Sequence, residues 1–498
     1  MTKRFSRRSF LTLTAASLAT PGLANAPSRS LRPVLRPSAQ SLINAAPTAE
    51  SLIRDSGLSG KISYAVARAG EGGGILEGHN AAAGLPPASV TKVLTALYAL
   101  HYLGPTHRFV TSLVAVGTVQ NGVLKGDLVL RGGGDPTLDT NRLADLARTL
   151  KASGIREVTG RFLVWGGALP ATRQIDDKQP AEAGYNPAVS GLALNYNRVH
   201  FEWKRSGNGY GVTMDARSDR YRPAVTVAEM QIANRAVPVY TYKSAGKTDQ
   251  WTVARGALGN GGARWLPVRQ PELYAGEVFR TLARAHGVQL KAPKVARDAP
   301  RGTIVARQQS PDLRTILKGM LKYSTNLTAE MVGLAASQAR GAHPASLRQS
   351  AGAMNAWAKE QMGMQAAALV DHSGLGEASR LRADETALML AKAGQHAVLQ
   401  PILKDIPLRD ENGRPIKSHP VKVKAKTGTL HFVSALAGYL NAPDGKVLAF
   451  AIFEADVNAR ARLIGPNRER PKGARTWNGR AKRLQQALIA RWGTVYGA

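Results

Sequence analysis

The 498-residue sequence predicts an α+β fold: an antiparallel sheet flanked by helices, interrupted by a large, mainly β insert. Strand-like runs stand near both ends while the clearest helical spacing lies between them, which favours one sheet assembled from distant segments. Ser89 and Ser324, each beside a helical stretch, are 235 positions apart, more than neighbouring elements of a compact domain need. A separately folded region is therefore expected in that interval. The boundaries read as 40–107 plus 290–498 for the outer domain and 108–289 for the insert, the latter as two subdomains.

The elements follow in order. Residues 61–67 and 74–77 read as a first hairpin. Leu85-Pro86-Pro87-Ala88 is a turn that can start a helix, and Val93, Leu94, Ala96, Leu97, Tyr98 and Leu100 make that helix apolar and buried. In the insert, 126–131 reads as a strand running into the turn 132–138. The rest is rich in Val, Tyr, Gly and Trp with few long helical patterns, hence mostly strands. Ser310-Pro311-Asp312 carries the signature of a helix start, with Ser310 as N-cap and Leu313, Ile316, Leu317, Met320 and Leu321 at helical spacing. A second helix is expected from Leu327 to about Ser337. The run 421–436, the turn Asn441-Ala442-Pro443-Asp444-Gly445 and the run 446–453 predict an antiparallel hairpin.

Three short motifs fall on these elements: Ser89-Val90-Thr91-Lys92, Ser324-Thr325-Asn326 and Lys426-Thr427-Gly428-Thr429. Residues three apart share a helix face, so the Lys92 amine can sit over the Ser89 hydroxyl and activate it. Each pattern alone is weak, and the chain carries decoys at Ser244-Ala245-Gly246-Lys247 and Ser206-Gly207-Asn208, both in polar stretches that read as surface turns. Taken singly, Ser324 or Asn326 reads as a helix cap and Lys426 as an edge-strand charge. Gly428 on a strand argues for close approach of another backbone, here a peptide substrate. Order and context make the set read as the site of a serine acyl-transfer enzyme.

With these motifs in this order, the chain resembles the penicillin-recognising serine DD-peptidases and β-lactamases. More narrowly it resembles the three-domain D-alanyl-D-alanine carboxypeptidase/endopeptidases, the low-molecular-mass class C penicillin-binding proteins. The run from Gly126 through Gly132-Gly133-Gly134-Asp135-Pro136 to Leu138, the run from Ser190 to Asn197, and Asp371-His372-Ser373-Gly374-Leu375 each resemble a signature of that family. The resemblance implies a transpeptidase/β-lactamase-like catalytic domain that needs no cofactor or metal. It implies Ser89 as nucleophile, Lys92 as base and Ser324 as proton relay, with Asn326 on the substrate amide and Lys426 and Thr427 on the terminal carboxylate. Backbone N–H groups of Ser89 and Thr429 would form the oxyanion hole, and Asp135 is a candidate contact for a free amine on the stem peptide. The expected substrates are peptidoglycan stem peptides, cut at D-Ala-D-Ala ends or at D-Ala cross-links, with β-lactams as covalent inhibitors of Ser89. A β-lactamase or esterase on the same fold, and a cell-wall or β-lactam binding protein without turnover, are the alternatives. One departure is visible: Gly376-Glu377-Ala378 separates Gly374-Leu375 from Ser379-Arg380, whereas many relatives carry Ser-Arg directly after Gly-Leu.

Residues 1–26 combine a basic start (Lys3, Arg4, Arg7, Arg8), an apolar middle and Ala24-Asn25-Ala26 at the end. Ser6-Arg7-Arg8-Ser9-Phe10-Leu11 resembles a twin-arginine export signal, so a soluble or peripheral periplasmic protein is expected. With no cysteine, thiol catalysis and Cys-based zinc sites are excluded, and the ten histidines form no metal-like helical pair. The net charge of +33 fits an anionic partner. Clustered Arg and Lys from Arg460 to Arg483 would suit an anionic cell-wall polymer or membrane face; export makes nucleic acid the weakest choice, and a solvated basic surface is the plain alternative.

Overall fold

The structure is a computed structural model that describes residues 39–70, 73–394, 398–463 and 471–497. The export signal read at 1–26 lies outside these residues. The short helix Ala39–Ala45 belongs to a unit of its own, and the remaining described elements belong to 46–498. No helix of the described residues is long and apolar enough to cross a membrane.

The central sheet has six strands in the order Lys404–Asp405, Lys422–Leu430, Val433–Asn441, Val447–Ala455, Lys61–Arg68 and Ile75–His79, with every neighbour antiparallel. Pairing of Lys61 with Ala455 joins the two ends of the chain in one sheet. Strand periodicity of two sorts its residues by size. Ala65, Ala67, Ala435, Ala437, Ala449 and Ala451 line one face, and their small side chains let five helices dock closely: Thr91–Leu103, Leu313–Tyr323, Asn326–Ala339, Leu347–Met362 and Ala383–Gly394. The larger Tyr64, Val66, Leu436, Leu448, Phe450 and Ile452 fill the other face beneath helices Ala49–Ser56 and Ala474–Val495. Lys426 stands in the alanine row, opposite Ala437, which leaves its long side chain room on the helix side.

Strand Thr303–Gln309 pairs with Val110–Gln120, so the inserted sheet extends to residue 309 rather than stopping at 289. The crossing segments are tied together: Ser310 N–H donates to the Phe109 carbonyl at 2.8 Å, and Phe109 N–H to Ser310 Oγ at 2.9 Å. Ser310 is thereby taken from the helix it was expected to cap, and Asp312 caps Leu313–Tyr323 instead, accepting from Thr315 N–H.

The insert also holds more helix than its composition suggests. Its first sheet contains Lys294–Val295, Phe162–Trp165, Val123–Arg131, Val110–Gln120 and Thr303–Gln309, with both parallel and antiparallel pairs, and shares a core with helices Thr140–Ala152 and Pro271–Ala285. Two three-stranded sheets follow, one of Arg198–Ser206, Gly209–Asp215 and Gly261–Pro267, the other of Ala228–Ala233, Tyr240–Ala245 and Thr248–Ala254. Both decoy motifs fall on hairpin tips of these sheets.

Candidate active site

Ser89 lies on a single 3₁₀ turn, Ala88–Val90, that runs directly into helix Thr91–Leu103. Two backbone features fix this turn. Ala88 adopts φ 45°, a left-handed conformation costing a residue with a Cβ about 1–2 kcal/mol. Gly374 packs against it so closely that an added Cβ would stand 1.8 Å from the Ala88 carbonyl oxygen. Gly428 shows the same closeness from the sheet side, where a Cβ would come 2.6 Å from the Pro87 oxygen. The backbone that stands this close to the glycine is the chain's own.

Ser324 also has a left-handed backbone, φ 60°, at the junction of helices Leu313–Tyr323 and Asn326–Ala339. That turn aims its hydroxyl at Ser89, to which it donates at 2.8 Å. Lys92 Nζ is fully buried and has three neighbours: Ser89 Oγ at 2.9 Å, Asn326 Oδ1 at 2.7 Å and the Ser373 carbonyl at 2.7 Å. Two of the three can only accept. A neutral Lys92 amine therefore gives both hydrogens to Asn326 and Ser373 and leaves its lone pair facing the Ser89 hydroxyl.

Burial lowers the Lys92 amine to about 8, against the opposing pull of Asp371 and Glu330. Lys426, 2% exposed, is lowered to about 7 by burial and then by repulsion from Lys92 and Lys404; its Nζ donates to the Thr427 carbonyl. Lys92 is the amine within hydrogen-bond reach of Ser89 and serves as base in its neutral form. Acylation of Ser89 is therefore expected to rise roughly tenfold per pH unit up to about 8 and then to level, in stopped-flow pH profiles.

Two buried carboxylates absent from the expected site hold this arrangement. Glu330 accepts from His372 N–H at 3.0 Å and Ser373 N–H at 2.9 Å; Asp371 accepts from Gly374 and Gly376 N–H, both at 2.6 Å. Burial pushes both carboxyls up, and the Glu330 carboxyl is raised further by Asp371. Together they fix the loop that carries the Ser373 carbonyl to Lys92 and Gly374 to Ala88. The sequence signal for Glu330 was a lone charge amid Leu327, Ala329, Met331 and Val332.

The expected contact of Asn326 with a substrate amide meets an amide already engaged at both ends, since its Nδ2 donates to the Tyr185 carbonyl at 2.9 Å. Tyr185 belongs to the insert, on a segment held by the buried Arg269, which donates to the carbonyls of Arg173, Ala181 and Asn186. The cleft over Ser89, about 980 Å³, is lined by Ser324, Asn326 and Thr429, by Gln179, Pro180 and Tyr185 of the insert, and by residues near the C-terminus. Thr427 and Thr429 are exposed on alternate positions to the buried Lys426 and Gly428. Past Ala425 the outer edge of this strand pairs with no strand of the described residues.

Asp135 stands apart from the cleft lining. It is 2% exposed, accepts from Thr137 N–H and Oγ1, and pairs with Arg142 at 3.1 Å. In this structure its carboxylate is engaged within the insert, by Thr137 and Arg142. Asp135→Asn is expected to lower stability by about 1–3 kcal/mol in urea unfolding while KM for stem peptides stays at the wild-type value. Arg380 is not among the cleft-lining residues and donates to the Glu377 and Ser379 carbonyls.

Comparison with known proteins identifies relatives over most of the chain. The chain is 28% identical over 447 residues to a D-alanyl-D-alanine carboxypeptidase of Actinomadura sp., covering 81% of this chain and 79% of that protein. It is 23% identical over 405 residues to the D-alanyl-D-alanine carboxypeptidase DacB of Haemophilus influenzae, covering 76% and 82%. The crystal structure of penicillin binding protein 4 from H. influenzae superposes with a TM-score of 0.71 at 20% identity, over 89% of this chain and 99% of that one, which shows a shared fold. Residues 46–468 match the D-Ala-D-Ala carboxypeptidase 3 (S13) family, and the chain belongs to it.

Proposed function

We propose that the protein is an exported serine DD-peptidase of peptidoglycan, which forms an acyl-enzyme on Ser89 and acts on D-Ala-D-Ala ends, on D-Ala cross-links, or on both. The observation that carries this reading is the Lys92–Ser89–Ser324 chain of hydrogen bonds at the floor of an open cleft. Ser89 Oγ attacks the carbonyl of the penultimate D-alanine as its proton passes to Lys92. The scissile C–N bond then breaks and Ser324 hands a proton to the departing amine, its own being replaced by the proton that Lys92 took from Ser89. Asn326 orients Lys92, and the Ser89 and Thr429 N–H groups hold the oxyanion, each contributing on the order of a hundred- to thousand-fold.

An extended peptide fits the unpaired edge of strand Lys422–Leu430 by strand addition, its terminal carboxylate toward Lys426 and Thr427. β-Lactams offer a strained amide to the same nucleophile, and a related penicillin binding protein 4 is known in complex with a β-lactam. The resemblance of residues 1–26 to an export signal supports a periplasmic location for the reaction. Incubation with defined monomeric and cross-linked muropeptides, followed by chromatography and mass spectrometry, tests the reading. Ser89-dependent loss of alanine from monomers, or conversion of dimers to monomers, is expected; absence of both would overturn it.

A further inference from the structure

One wall of the cleft is basic. Along strand Lys422–Leu430 the lining passes Thr429, Leu430 and His431, and Arg460, Arg475 and Lys482 complete that side. At about 3.3 Å per residue, Lys426 and Leu430 are roughly 13 Å apart along the strand, so Lys426 and this wall are separate features. The acidic side chain in the lining, Glu377, is bridged to Arg460 at 3.2 Å and to Lys178 at 3.7 Å. Arg475 and Lys482 are exposed, and neither has an acidic partner among the described residues.

Arg475, Asn478, Gly479 and Lys482 recur at i, i+3, i+4 and i+7 of helix Ala474–Val495 and share its cleft-facing side. Asn478 docks that side to the strand end by donating to the Leu430 carbonyl at 3.0 Å. Gly479 leaves the space between the two cations open, for an added Cβ would meet only the tip of Arg483, at 3.8 Å. A guanidinium and an ammonium flanking an open floor suit a carboxylate, which the first can bind with two parallel hydrogen bonds and the second as a point charge.

We propose that Arg475 and Lys482 form a second carboxylate subsite, which binds a carboxylate on the acyl-donor part of the stem peptide, upstream of the scissile bond. The direction rests on the peptidase reading above. A peptide whose carboxyl end lies at Lys426 sends its earlier residues past Thr429 and Leu430 toward this helix.

The test uses two D-Ala-D-Ala peptides that differ only in an upstream side-chain carboxylate, free in one and converted to the carboxamide in the other. Titrated into Ser89→Ala protein at low salt, the acid is expected to bind on the order of tenfold more tightly than the amide, and added salt narrows the difference. Arg475→Ala/Lys482→Ala on the same background brings the ratio close to one, whereas Arg475→Lys/Lys482→Arg retains most of it. Coinciding urea unfolding curves check that these exposed positions leave the fold intact. Equal binding of acid and amide, or a ratio indifferent to the double alanine change, overturns the subsite. Discrimination in binding with no Ser89-dependent cleavage of either D-Ala-D-Ala ends or D-Ala cross-links by the wild-type protein would instead overturn the peptidase reading, so the two failures are distinct.

Discussion

Lys92→Ala is expected to slow acylation of Ser89 by benzylpenicillin roughly 10³- to 10⁴-fold, the scale of a lost general base. The change removes the one amine within reach of Ser89 Oγ and leaves the Asn326 and Ser373 oxygens without their shared donor. It also removes the leading charge that depresses Lys426, whose amine should rise from about 7 toward the ordinary lysine value. Residual acylation should then lose the acid limb set by Lys92, because no base remains beside Ser89 to be deprotonated. Lys92→Arg cannot restore it, since a guanidinium stays protonated at every accessible pH. Stopped-flow acylation across pH checks both the size of the loss and the changed profile; a rate within tenfold of wild type would remove Lys92 from the chemistry.

Glu330→Ala has the largest expected effect on stability. It leaves the buried His372 and Ser373 N–H groups without acceptors, each costing about 1–3 kcal/mol. Urea unfolding should show a loss of about 2–6 kcal/mol, with Glu330→Gln intermediate because one acceptor oxygen survives. Glu330 does not touch the reacting atoms and acts as a positioning residue. In its ionised form Glu330 favours the Lys92 ammonium, so neutral Gln makes that amine easier to deprotonate and moves the acid limb of acylation to lower pH. A merely structural role would lower stability without shifting the profile.

The parts that sequence reasoning reached are those in which residue type, spacing and chemistry coincide. Ser89 and Lys92 share a helix face by spacing alone, and the strand holding Lys426 is marked by its alternation and by the turn at 441–445. Ser324 and Asn326 became distinguishable from the decoy at 206–208 because they interrupt a strong helical pattern. What escaped depends on distant partners. Glu330 looks like an ordinary charge on a helix until the 371–376 loop is laid over it. Ser310 carries a good capping signature, yet its hydroxyl is claimed by Phe109 across the domain crossing. The later end of the insert turns on pairing between Thr303–Gln309 and Val110–Gln120, nearly two hundred residues away, which periodicity cannot announce. Arg475 and Lys482 were visible only as members of a basic run, since nothing in the run says which of its charges face a cleft. Asp135 was assigned by resemblance, and its contacts with Thr137 and Arg142 were not legible from its turn.

Peptide mapping by mass spectrometry after brief exposure to benzylpenicillin addresses the central claim most directly, with wild type and Ser89→Ala side by side. The expected result is one penicilloyl adduct, on the peptide containing Ser89, absent from the variant and persisting after excess drug is removed. An adduct on any other residue, or none at the earliest times, would contradict Ser89 as the nucleophile.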